Sequence, residues 1–191
     1  ALLNATQAHR SWDQTPVDER ARCLERTADL LEQRRGELIA LLVREAGKTL
    51  ADTIAEVREA ADFCRYYAAQ ARRDFSEAKV LAGPTGESNE LSLHGKGVFV
   101  CISPWNFPLA IYLGQIAAAL VAGNTVIAKP AEQTTLIGYV TTQMLHECGV
   151  PLKVLQFLPG IGREIGPLLT QDARVAGVAF TGSTDTARVI N

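Results

Sequence analysis

An apolar run breaks at Ile102-Ser103-Pro104-Trp105-Asn106-Phe107-Pro108 into a proline-bracketed corner that carries one uncharged amide donor, Asn106. A strand exit of this kind is where an α/β protein presents groups to a ligand. An asparagine there also suits a helix cap, with a helix starting at Phe107 or Pro108. Lys129 and Glu132 follow a second apolar run, Thr125-Val126-Ile127-Ala128, and Pro130 ends regular pairing between them. Most loop charges are merely solvated. A carboxylate at the end of the strand beside the first nucleotide-binding strand, however, can accept both hydroxyls of an adenosine ribose and repel a 2′-phosphate, which favours NAD over NADP. Gly160-Ile161-Gly162-Arg163-Glu164-Ile165-Gly166 is a glycine-rich strand-to-helix turn, with Gly162 and Gly166 as candidates for close cofactor approach. Its G-x-G-x-x-x-G spacing departs from the usual dinucleotide fingerprint, and a tight connection accounts for it equally well. Ser183, in Phe180-Thr181-Gly182-Ser183-Thr184, opens a helix whose free amides attract an anion, or is a plain N-cap.

Two further motifs do not carry chemistry. Gly47-Lys48-Thr49 has the ending of a phosphate-binding loop, but Leu42 stands where that loop needs its first glycine, so the segment reads as a helix terminus. Cys101 adjoins the Asn106 corner but lies inside the apolar run, whereas a reactive thiolate needs an exposed turn. The four cysteines, Cys23, Cys64, Cys101 and Cys148, form no C-x-x-C pair, which argues against a metal site or redox dithiol and predicts four small buried side chains in a reducing compartment.

The elements that must position these residues fall into two regions. Thr15-Pro16-Val17-Asp18 predicts a helix start with a capping threonine and a first-turn proline, and Val17, Ala21, Leu24, Ala28 and Leu31 then share a face. A short helix through Leu38, Leu41 and Leu42 ends at Gly47, and a longer one to about Glu77 turns Leu50, Ile54, Val57, Ala61 and Cys64 inward. The turn formers 82–89 read as a connector, dividing a helical region, 1–88, from a nucleotide-binding region, 89–191. In the second region β-branched apolar runs at 98–102, 125–128, 154–158 and 175–180 alternate with helix-length stretches at 109–121, 134–148 and 163–170. That order predicts an α/β fold, a Rossmann-like parallel sheet covered on both faces by helices and preceded by a helical region.

Composition narrows the classes. The chain has 191 residues, 47% of them hydrophobic, enough for a sizeable core. Nineteen Lys and Arg against 21 Asp and Glu give a formal charge of −2, which supplies no general attraction to nucleic acid or anionic lipid. No stretch has the apolar length of a membrane span, and the first residues lack a basic segment followed by a long apolar core, so a cytoplasmic protein is expected.

Taken together, the Pro-Trp-Asn-Phe-Pro corner, the stretch Asn124 to Thr134 and Phe180-Thr181-Gly182-Ser183-Thr184 resemble the aldehyde dehydrogenase superfamily over nearly the whole chain. The resemblance implies that Asn106 donates its side-chain amide to the oxyanion formed when a cysteine thiolate attacks an aldehyde. It also implies that the backbone of Ile102, Ser103, Pro104 and Trp105 runs along the ribose and nicotinamide of NAD, that Lys129 and Glu132 bind the adenosine ribose, and that Ser183 contacts the pyrophosphate. The nucleophilic cysteine and the general-base glutamate belong to family motifs absent from these 191 residues. The expectation is therefore an N-terminal fragment that does not turn over by itself. The stretches Leu42 to Thr49, Ala55 to Tyr67 and Gly114 to Leu120 look like the dehydrogenase domain of bifunctional bacterial proline-utilisation flavoenzymes, which oxidise L-glutamate γ-semialdehyde, the hydrolysed form of Δ1-pyrroline-5-carboxylate. In that family FAD belongs to a separate upstream domain. The family also forms homo-oligomers through a β-extension, to which 91–97 could contribute a strand. Another aldehyde dehydrogenase, such as one for succinate semialdehyde, or a noncatalytic nucleotide-binding module, remains the alternative.

Overall fold

The computed structural model describes residues 1–190. Four helices come first: α1 (Leu2–Asp13), α2 (Val17–Gln33), α3 (Arg35–Ala46) and α4 (Leu50–Phe75). A two-stranded antiparallel hairpin follows, β1 (Lys79–Leu81) with β2 (Asn89–Leu91). The rest alternates as β3 (Val98–Ile102), α5 (Ala110–Val121), β4 (Thr125–Lys129), α6 (Thr135–Glu147), β5 (Leu155–Phe157), α7 (Gly162–Thr170), β6 (Val175–Phe180) and α8 (Thr184–Ile190).

The main sheet is parallel, in the order β5-β4-β3-β6. The first two crossovers step outward from β3 through β4 to β5, and the third returns to the far side of β3. Strand order thus reverses between β3 and β6, and a ligand crevice forms beyond the carboxyl ends of strands at such a point. Side-chain alternation sorts the two faces. Cys101, Val126 and Ala128 join the large core with α2, α4, α5 and α6, while Val98, Val100 and Ile127 pack with Ala5 of α1 and Leu169 of α7. Both faces are covered, as short apolar strands separated by helices require.

Several local expectations need correction. Thr15 does not cap α2: its hydroxyl donates back to the Ser11 carbonyl of α1, a helix the sequence reading omits, and Pro16 takes the cap position. Leu50 is 62% exposed and Ile54 is also exposed, because the inward stripe of α4 runs through Thr53, Glu56, Val57, Ala60, Ala61 and Cys64. The turn formers 82–89 close the β1-β2 hairpin. Strand β2 ends at Leu91, and 92–97 pair with no strand among the described residues of this chain. Beyond it the backbone amides are taken by side chains: Gly95 donates to Asp13 Oδ1 at 2.6 Å, and Lys96 and Gly97 donate to Asn124 Oδ1 at 2.6 and 3.1 Å. The helix expected to end at Gly47 does so, with that glycine in the left-handed region at φ 65°. No helix among the described residues is long and apolar enough to cross a membrane.

Candidate functional site

The carboxyl ends of β3, β4 and β6, with the amino end of α7, line a cleft of about 1050 Å³. Every residue singled out for cofactor or substrate lies along it: Ile102, Ser103, Pro104, Trp105 and Asn106 after β3, Lys129 and Glu132 after β4, Gly162 and Gly166 on α7, and Ser183 after β6.

At the β3 exit, Trp105 is 57% exposed, so it belongs to the cleft and not to the core. Ser103 is buried, its amide donates to the Lys129 carbonyl at 3.3 Å, and its hydroxyl has no partner among the described residues. Buried hydroxyls are ordinarily paired, so this one is open to a ligand or a water in the cleft. Asn106 is exposed and is not a helix cap. Helix α5 starts later, at Ala110, and the amides of Leu109 and Ala110 are taken by Glu56 Oε1 at 2.9 and 3.2 Å. The Asn106 side chain is thereby left free of the capping role.

Lys129 is the last residue of β4, paired in register with Ile102, and is only 5% exposed. It is therefore no solvated loop charge. Its Nζ donates to the Pro130 carbonyl at 3.0 Å. Burial lowers its pKa, and the nearby Glu132 charge works the other way. Glu132 opens a single 3₁₀ turn, and its Oε1 accepts the Gly162 amide at 2.6 Å, tying the β4 exit to the first residue of α7. A Cβ on Gly162 would sit 3.6 Å from that oxygen and 3.8 Å from Lys129 Nζ. These are ordinary contact distances, so the space at Gly162 does not by itself demand glycine, and what places the residue in the site is its amide on Glu132.

Ser183 precedes α8, and its hydroxyl accepts the Thr186 amide at 3.2 Å, the N-cap geometry. Gln115 on α5 joins the β6 exit to the β3 exit. With the amide assigned so that both neighbours are satisfied, its oxygen accepts from the Thr181 hydroxyl at 2.9 Å and its NH₂ donates to the Ile102 carbonyl at 3.3 Å. Cys101 faces the core, 1% exposed, and burial pushes its thiol up to about 12. It stays protonated near neutrality and makes no nucleophile. All four cysteines are buried and free.

The sequence reading missed Lys48 and Glu56. Lys48 sits one residue past the glycine terminator of α3, and Glu56 lies fully inside the apolar stripe of α4. A carboxylate on an otherwise apolar helical face was the available signal, since buried carboxylates are rare unless paired.

A model described as the aldehyde dehydrogenase family matches residues 1–191. The bifunctional protein PutA of Salmonella typhimurium is 54% identical over all 191 residues, which make up 13% of that protein. The 1-pyrroline-5-carboxylate dehydrogenase of Geobacillus thermodenitrificans is 42% identical over 97% of this chain and 36% of its own length. The chain thus spans well under half of the curated relatives it matches. Among solved structures, 1-pyrroline-5-carboxylate dehydrogenase from Thermus with bound NAD superposes with a TM-score of 0.94 at 41% identity, covering 99% of this chain and 37% of that one. With a match along its whole length and a fold shared with these enzymes, the chain belongs to the aldehyde dehydrogenase family.

Proposed function

We propose that these residues are the NAD-binding part of an aldehyde dehydrogenase that oxidises L-glutamate γ-semialdehyde to glutamate in proline breakdown. The observation that carries this reading is the convergence of one neutral amide, one carboxylate and one helix-opening serine on a single cleft at the reversal of strand order. The substrate assignment draws on the relatives named for PutA and 1-pyrroline-5-carboxylate dehydrogenase.

The cleft residues fit a dinucleotide. Among the described residues only Oε1 of Glu132 is engaged, which leaves Oε2 to accept a ribose hydroxyl beside the Lys129 ammonium. Ser183, at the start of α8, offers its hydroxyl and the neighbouring amides to the pyrophosphate. The unpartnered Ser103 hydroxyl and the backbone from Ile102 to Trp105 flank the ribose and nicotinamide. NAD supplies the hydride acceptor. Asn106 stabilises the negative oxygen that develops when a thiolate from outside these 191 residues adds to the aldehyde. A neutral donor suits that task because it stabilises the oxyanion without quenching the thiolate, and loss of one such donor costs about 3 to 4 kcal/mol of barrier.

Calorimetric titration with NAD and NADP tests the cofactor reading. NAD is expected to bind the more tightly, and Glu132→Ala to weaken it about 10- to 100-fold by removing hydrogen bonds to a charged group. Equal binding of both dinucleotides, untouched by Glu132→Ala, would sink it. The isolated 191-residue chain is expected not to oxidise aldehydes, and turnover abolished by Asn106→Ala would overturn that expectation.

A further inference from the structure

Lys48 and Glu56 take no part in the proposed chemistry, yet they form a closed polar cluster under the Asn106 corner. The Glu56 side chain is fully buried, with Oε1 on the first amides of α5 and Oε2 2.5 Å from Lys48 Nζ. Lys48 Nζ also donates to the backbone carbonyl of Asn106 at 2.9 Å and stands 4.1 Å from the centroid of the Phe107 ring. The carbonyl takes one ammonium hydrogen, while the carboxylate oxygen, in ionic contact outside hydrogen-bond geometry, and the aromatic face surround the charge.

Among the described residues, no other hydrogen bond reaches Trp105, Asn106, Phe107 or Pro108. The corner belongs to neither strand nor helix, and the Lys48 ammonium gives the Asn106 carbonyl the hydrogen bond that no ladder or helix supplies. Stability alone does not explain the arrangement, because apolar side chains of similar volume usually replace a buried ion pair at no loss. What an apolar contact cannot do is aim a carbonyl. Because Glu56 is fixed by α5 and Lys48 by Glu56, the start of α5 and the Asn106 peptide are set from one rigid point in α4.

We propose that Lys48, held by Glu56, is a positioning residue that orients Asn106 for oxyanion stabilisation. This rests on the reading of Asn106 as the oxyanion donor. The charge of the pair is internally balanced, so the corner presents a directed amide dipole and not a free cation beside the thiolate.

The test is a double-mutant cycle in the full-length protein that carries this segment, read as kcat/KM for the semialdehyde together with the Kd for NAD. Lys48→Met is expected to lower kcat/KM about 10- to 100-fold, the range for a displaced catalytic group. The NAD Kd stays within about twofold of the parent, because the adenosine grip stands on β4 and α7. Asn106→Ala lowers kcat/KM further, by about 100- to 1000-fold. The double variant is expected to match Asn106→Ala alone, since a positioning residue has nothing left to position. Losses that multiply in the double variant would overturn the proposal while leaving the role of Asn106 intact, as would Lys48→Met losing NAD affinity in step with activity. An Asn106→Ala enzyme with full kcat/KM would instead fell the oxyanion reading and this proposal with it. If Lys48→Met does not fold, Phe107→Leu removes only the ring beside the ammonium and runs through the same cycle. A smaller loss is expected, again absent when Asn106 is already alanine, and a loss that multiplies overturns the proposal equally.

Discussion

The corner after β3 and the corner after β4 line one cleft but are held by opposite means. Asn106 is bonded from below by Lys48, 58 residues earlier in the chain, which is in turn held by a carboxylate fully inside the core. Glu132 is held by the Gly162 amide, 30 residues later and in the next βα unit, in an exposed contact. A donor that must meet a developing charge needs a fixed direction, and a buried scaffold from another part of the chain provides it. In the proposed role of Glu132, a carboxylate accepting ribose hydroxyls would tolerate some freedom, because two oxygens and a flexible stem can adjust. Helix α6 makes the same contrast from another side. Its first amides, Leu136 and Ile137, are bonded by Glu45 at 2.7 and 2.8 Å, but that carboxylate lies in a partly exposed contact and carries no ion pair.

The sharpest way to break this comparison is to remove the two carboxylates separately. Glu56→Ala strands the Lys48 ammonium without its counter-ion and frees two α5 amides, an expected loss of about 3 to 5 kcal/mol. Glu45→Ala removes only a cap, an expected loss of about 0.5 to 2 kcal/mol. Hydrogen–deuterium exchange of the full-length protein reads each locally. Peptides covering the start of α5 should lose far more protection in the first variant than those covering the start of α6 do in the second. Equal losses would mean that the buried pair does nothing a surface cap does not.

The second expected difference lies in function. Asn106→Ala should cost about 3 to 4 kcal/mol of barrier and leave NAD affinity unchanged, whereas Glu132→Ala should cost about 1.5 to 3 kcal/mol of cofactor binding. Steady-state kinetics beside an NAD titration separate them. If either variant moved both quantities together, the two corners would not be independent supports of one cleft.

This division also explains what the sequence disclosed. The four strands of the parallel sheet and the helices between them are legible because they are short, largely apolar runs with little polar alternation, and β3 and β6 fall on the expected residues. The cleft residues are legible because each sits within a few residues of a strand end, where topology alone brings them together. Lys48 and Glu56 are not, since their role depends on α4 lying against the start of α5: the carboxylate in the apolar stripe of α4 marks a buried charge, but nothing local names its partners. Helix α1 escaped for a related reason: it has no capping signal at its start, and its small inward residues meet distant partners, Ala5 beside Val98, Val100 and Ile127 and Ala8 with Trp12 in the main core. The mistaken inward positions, Leu50 and Ile54, show residue type misleading where partner geometry decides: two aliphatic side chains stay exposed while Glu56 between them and Val57 goes in.

The smallest expected effect concerns Lys129, whose burial makes it a charge the fold accommodates at a cost. Its folded-state pKa lies below the ordinary lysine value of 10.5, because loss of hydration outweighs the pull of Glu132. Between the lowered value and 10.5 the unfolded chain binds more protons than the folded one, so stability rises with pH across that window. Below it the burial penalty is present in full. Lys129→Met should therefore stabilise the protein near neutral pH by about 1 kcal/mol, and the advantage should shrink as pH approaches 10.5. The same variant should bind NAD more weakly, because the ammonium beside Glu132 is gone. Thermal unfolding at a series of pH values, paired with one NAD titration, decides the matter. A Lys129→Met protein that is less stable at every pH would make the lysine a structural anchor through its bond to the Pro130 carbonyl. The opposite result, stability gained and cofactor lost, would mark the β4 corner as a place where the fold gives up stability to keep a charge facing the cleft.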